Sequence, residues 1–108
     1  MKKIQTTISV HDTLLDLASF TPDKTLAEII DISTLRLLSE MQRSTPRGNE
    51  IYRRLVYQKQ VGRQEQGYKR ICVRLLRQVW EYCEMAQIKK GVFVNQALRD
   101  YYGQKPTN

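Results

Sequence analysis

The chain has 108 residues, 41% of them hydrophobic, and a formal net charge of +7. That length bounds it to one compact unit, or two very small ones sharing a core, and no apolar run is long enough to span a membrane. No apolar stretch follows Lys2 and Lys3, which argues against a secretory signal and leads us to expect a cytoplasmic protein. Cys72 and Cys83 fit no zinc spacing and are expected as reduced thiols, with no metal and no cofactor.

The charge is uneven. Residues 1–42 carry four basic and six acidic side chains, whereas residues 43–79 carry ten basic and two acidic. A concentrated basic third is the footprint of a phosphate-backbone binder, or else a solvated linker. A membrane-surface helix wants Trp, Phe or Leu opposite its basic face. Here Gln, Gly and Ser lie between the charges, so no membrane partner is expected.

In chain order, Lys3–Val10 alternates: Ile4, Thr6, Ile8 and Val10 make one face, and Lys3, Gln5, Thr7 and Ser9 the other. A period of two with β-branched residues predicts a strand. Asp12 is the expected N-cap of a short helix carrying Leu14, Leu15, Leu17 and Ala18, which ends before Pro22. Thr25-Leu26-Ala27-Glu28 is a capping box opening a longer helix, with Leu26, Ile29, Ile30, Ser33 and Leu37 inward and Leu38 and Met41 extending the stripe. That helix is expected to stop near Ser44, before Pro46 and Gly48. Residues 45–68 form a basic connecting segment. Within it, Ile51, Tyr52, Leu55 and Val56 suggest about two turns of helix over Glu50–Gln60, read as a surface linker rather than a DNA contact of its own.

Lys69–Leu75 alternates again. Ile71, Val73 and Leu75 share one face, while Arg70, Cys72 and Arg74 share the other. Two arginines on an outward strand face either guard an edge against pairing or read an anionic surface. Leu76, Val79, Trp80, Cys83 and Ala86 then predict a short helix. Phe93, Val94, Ala97, Leu98 and Tyr101 predict a longer one over Val92–Tyr102, stopped by Gly103 and followed by a frayed tail at 104–108.

The two ends share one plan: strand, short helix, turn, longer helix, at an offset of 64–65 residues. The halves are residues 1–44 and 69–103, sharing one core. This plan resembles the ribbon-helix-helix superfamily of the Arc and methionine repressors. Cys72-Val73-Arg74-Leu75-Leu76-Arg77-Gln78-Val79 looks like that family's strand and entry to its first helix. Residues Ile88–Leu98 look like its second-helix signature, and Thr25-Leu26-Ala27-Glu28-Ile29-Ile30 matches the cap-and-Glu form of it. Lys89 departs from the usual Ser or Thr cap, and the first strand's outward face has a single basic residue. Two copies in one chain resemble the DNA-binding accessory proteins of plasmid conjugation.

The resemblance implies an α+β, mostly α fold: a two-stranded antiparallel ribbon over four helices, with an extra helix possible in the connection. The strands pair within one chain, or like copies pair in a homodimer; effective concentration favours the former when the linker can reach. It further implies a non-enzymatic, sequence-specific double-stranded DNA-binding protein, a transcriptional repressor or regulator whose ribbon enters the major groove. Base readers would be Gln5, Thr7, Ser9, Arg70, Cys72 and Arg74. Phosphate contacts would be Lys3, Thr25 and Leu26 at the first longer helix, and Lys89, Lys90 and Gly91 at the second. Alternatives are an accessory factor in plasmid relaxosome assembly, partition or copy control, or an antitoxin-type interaction protein. An antitoxin would be shorter, with one copy and an extended tail. A helix-turn-helix fold would leave both alternating strands unexplained. Self-association on adjacent sites is a further expected partner mode. No small-molecule substrate is expected, because the single histidine, His11, has no motif-placed nucleophile.

Overall fold

In a computed structural model describing residues 2–58 and 66–103, strand β1 (Lys3–His11) pairs antiparallel with strand β2 (Tyr68–Leu76). The register sets Gln5 opposite Arg74, Thr7 opposite Cys72 and Ser9 opposite Arg70. The alternation in each strand therefore lands in phase. Ile8, Val10, Val73 and Leu75 are buried on the inner face. This satisfies the pairing half of the backbone groups and hides the apolar side in one step.

Among the described residues there are five helices: α1 (Asp12–Ser19), α2 (Leu26–Gln42), α3 (Pro46–Tyr57), α4 (Arg77–Ala86) and α5 (Lys90–Tyr102). The fold is α+β and mostly helical. Strand, helix, helix occurs twice, with α3 between the two runs. The runs are interleaved. Besides the helix pair α2–α5, the long helix α5 packs on β1, and α2 packs on β2. Ser33 of α2 and Ala97 of α5, both 1% exposed, line one crevice between the two helices. Small side chains there let the long helices approach. Helix α5 is the innermost element, with every residue from Gly91 to Arg99 buried.

Several expected boundaries move: α5 starts at Lys90 rather than Val92, and Leu76, expected on the second short helix, ends β2. His11, not Asp12, caps α1: its Nδ1 accepts the Thr13 N–H at 3.2 Å. Asp12 instead enters the first helical turn, and its backbone N–H donates to the Gly67 carbonyl at 2.8 Å, tying the helix start to the end of the ribbon. The larger correction concerns α3. Pro46 and Gly48 predict a break, with about two turns of helix over Glu50–Gln60. In the structure the break is shorter: α2 ends at Gln42, Ser44 turns in the left-handed region (φ 57°), and α3 starts at Pro46. Thr45 caps it, its Oγ1 accepting the Gly48 N–H at 3.0 Å. Proline at the first helical position has no N–H to lose and a φ already set for helix. Nor is α3 a surface linker. Ile51 and Leu55 are 5% and 1% exposed and belong to the core cluster.

The expected tail at 104–108 and part of the connection, 59–65, lie outside the described residues. Among the described residues, no helix is long and apolar enough to cross a membrane.

Gly48 seats α3 on α2: a Cβ there would lie 2.6 Å from the Glu40 carbonyl oxygen. Backbone cannot yield as a side chain does. Gly48→Ala should therefore lower the unfolding free energy by about 1–3 kcal/mol, measured by urea denaturation, even though alanine favours helix more than glycine does.

Candidate functional site

The outer face of the ribbon carries the polar residues singled out above, and the structure brings five of the six expected base readers together on an exposed surface. Gln5 and Thr7 from β1 and Arg70, Cys72 and Arg74 from β2 are all exposed. They alternate along paired strands, so their side chains project from one side of the ribbon. Gln5 and Cys72 are diagonal neighbours, and the Gln5 amide donates to Cys72 Sγ at 2.9 Å. Arg70 and Arg74 flank Cys72 on the same face, and the described residues provide neither with an ion-pair partner.

Ser9 does not join them. It is 5% exposed and lies in a crevice lined with Gln58, Tyr68, Gly91, Val92, Asn95 and Arg99. The ribbon end it occupies is covered, with His11 and Tyr68 meeting edge to face at 5.0 Å between ring centroids. Strand parity alone placed Ser9 outward. What covers it comes from distant parts of the chain.

Asn95 is a residue that periodicity did not reveal. Its Nδ2 donates to the Ser9 carbonyl at 2.8 Å and the Gly91 carbonyl at 2.7 Å, while its Oδ1 accepts the His11 N–H at 3.0 Å. One buried amide thus satisfies two backbone groups on β1, the Ser9 carbonyl and the His11 N–H, and locks α5 to the strand. Gly91 completes the contact: a Cβ there would meet Ile8 Cβ at 3.5 Å and the Ser9 backbone at 3.7–3.8 Å. The matching position in the first run, 64 residues earlier, is Asp31. Asp31 instead accepts from Lys3 Nζ at 2.7 Å. Its other carboxylate oxygen is buried without a partner among the described residues.

The expected phosphate contacts divide unequally. At the start of α2 the capping box closes on itself: Thr25 Oγ1 accepts the Glu28 N–H at 3.2 Å, and Glu28 Oε1 accepts the Thr25 N–H at 3.1 Å. The Thr25 backbone hydrogen bond, followed by its hydroxyl, holds the Glu28 carboxyl below the usual range. A carboxylate therefore already occupies that helix end, where the helix dipole favours an anion. Thr25 is exposed and Leu26 half-buried, and Lys3 nearby is engaged by Asp31. The start of α5 has no side-chain cap. Lys89 stands exposed there, and Lys90 lies 4.1 Å over the Trp80 ring while pairing with Glu84.

Beside each helix start runs an open groove against the opposite strand. One, of about 670 Å³, lies between Thr6, Thr7 and Ile8 of β1 and Lys89, Lys90 and Gly91 of α5. The other, of about 470 Å³, lies between Cys72, Val73 and Arg74 of β2 and Leu26, Ala27 and Ile30 of α2. Among the described residues, no group of three or more His, Cys, Asp or Glu side chains is placed to hold a metal ion. No protein-family model, curated protein or solved structure matches the chain.

The two cysteines are chemically distinct. Cys72 is exposed, whereas Cys83 is buried in the core and desolvation pushes its thiol up to about 12. A raised acid pKa in the folded state means stability that is intact below the ordinary thiol value of 9.0 and is lost as pH rises toward 12. Urea midpoints should therefore fall on going from about pH 8 to about pH 10.5, and fall less in Cys83→Ala. In the native protein at neutral pH, a thiol reagent should label Cys72 and spare Cys83 until the chain is unfolded.

Proposed function

We propose that the protein is a sequence-specific double-stranded DNA-binding regulator of tandem ribbon-helix-helix architecture, reading the major groove with the outer face of the β1–β2 ribbon. The observation that carries this reading is the register. It sets Arg74 opposite Gln5 and Cys72 opposite Thr7 on a single exposed face, with Arg70 beside them. A two-stranded ribbon is narrow enough for the major groove, where each base pair presents its own pattern of donors and acceptors. An arginine fork matches guanine O6 and N7, and a glutamine amide matches adenine N6 and N7. Thr7 is less selective, and the Cys72 thiol, a weak hydrogen-bonder, suits a thymine methyl.

The phosphate anchors follow the same inequality. An uncapped helix start beside Lys89 suits a phosphate, whereas the start of α2 already holds the Glu28 carboxylate. Lys89 and the α5 groove form the main positioning contact. The two halves of the reader then differ both in the bases they prefer and in the grip they have on the backbone. The preferred site is accordingly asymmetric, not a palindrome.

Selection of bound duplexes from a random pool tests this. Wild-type protein should recover a non-palindromic sequence, and Arg74→Ala should relax the preference at one position at a cost of about 1–3 kcal/mol there. An unchanged preference would remove the ribbon as the reader. A loss spread evenly over all sequences would make Arg74 a phosphate contact instead.

A further inference from the structure

We propose that α3 adds a one-sided contact to the same DNA: its last two turns, with Arg53 and Tyr57, meet the phosphate backbone flanking the groove at the Ser9–Arg70 end of the ribbon. The proposal rests on the DNA-binding reading above. Among the described residues, α3 is the one helix with no counterpart in the other strand-helix-helix run. Three contacts set its direction. Near its start, Arg47 pairs with Asp100 in the last turns of α5, 3.4 Å away. Further along, Arg54 donates to Gln96 at 2.7 Å. At its end, Gln58 lines a crevice with Ser9 and Tyr68 of the ribbon and with Gly91, Val92, Asn95 and Arg99 of α5.

Helix α3 therefore runs antiparallel to α5. From Arg47 to Gln58 it rises about 16 Å, enough to carry the chain from the far side of the helical layer to the level of the ribbon. The residues it delivers there suit a phosphate backbone. Arg53 and Tyr57 are one turn apart on the exposed side of the helix, and Tyr57 is 84% exposed. Arg53 makes no ion pair among the described residues. Arginine and tyrosine both donate hydrogen bonds to phosphate oxygens. The site lies beside the covered end of the ribbon, because Gln58 and Ser9 share a crevice, and Arg70, opposite Ser9, is exposed on the adjoining outer face. Nothing equivalent stands at the other end of the ribbon among the described residues, so the added contact lengthens the footprint on one side only.

The test uses the selected duplex with flanking base pairs trimmed from either side in turn, titrated at several salt concentrations. For the wild-type chain, trimming one flank should weaken binding on the order of fivefold and trimming the other should not. In the double variant R53A/Y57A the two trimmed duplexes should bind alike, the full duplex should lose on the order of fivefold, and the slope of log affinity against log salt should flatten by about 1. Unchanged affinity and slope in the double variant would overturn the contact, as would a loss of the same size on every duplex regardless of flank. Arg74→Ala, run in parallel, separates the two claims. If it alters sequence preference while R53A/Y57A changes nothing, the ribbon reading stands and the α3 contact falls. If neither variant changes anything, both fall.

Discussion

The antiparallel pairing of β1 with β2 is the constraint on which the rest of the chain depends. A nine-residue strand with one apolar face has nowhere to put either its backbone groups or its side chains. Here the only other strand among the described residues follows more than 50 residues later, and the in-phase register turns two marginal segments into a two-stranded lid. Four of its inner residues are buried over the α2–α5 pair. A slip of one residue would put Arg70, Cys72 and Arg74 into that core and expose Val73 and Leu75. Burying even one unpaired guanidinium costs several kcal/mol, so the register is strongly specified. The burial energetics that fix the core face also fix which residues line the outer face, so a stability constraint and the proposed reading surface are inseparable.

From that ribbon the asymmetry of the molecule follows step by step. The two long helices each lie on the strand of the other run, yet they are held differently. Asn95 bonds the backbone of β1 from α5, while Asp31, at the matching place in α2, bonds the Lys3 side chain. One long helix starts with a closed capping box and a carboxylate, and the other starts uncapped beside lysine. Helix α3 then packs along one side only. A chain that carries both halves covalently is free to let them diverge, because no symmetry operator forces them to stay alike. An unequal outer face is the natural product of that freedom.

Much of this was legible in the residues. Period-two alternation marked both strands to within a residue at each end, and Thr25 with Glu28 marked the start of α2. The inner stripes of α2 and α4 stood out by helical spacing, because an amphipathic element displays its burial as periodicity. Three things were hidden, each for a physical reason. The first turn of helix α3 was masked by Pro46 and Gly48, which signal a break when read alone but serve here as first-turn proline and close-packing glycine. The burial of Ser9 depends on Gln58, Tyr68 and Gly91, brought together only by the tertiary fold. Asn95 lies on a helix buried all round, so no polar face existed to contrast with it, and its bonds run to backbone atoms more than 80 residues away. Local pattern reports on faces, whereas these three features are set by what lies opposite.

DNA reading by the ribbon requires the arginines of β2 to lie against base edges in the major groove. Guanine N7 faces that groove and nowhere else, so its methylation by dimethyl sulfate is the most direct probe. On the duplex selected by the wild-type protein, binding should shield at least one guanine N7. Arg74→Ala, at a concentration that restores full occupancy, should leave that guanine open while the remaining protections persist. Protection that is absent from the wild-type complex, or that survives the loss of both Arg70 and Arg74, would contradict the ribbon as the reading surface.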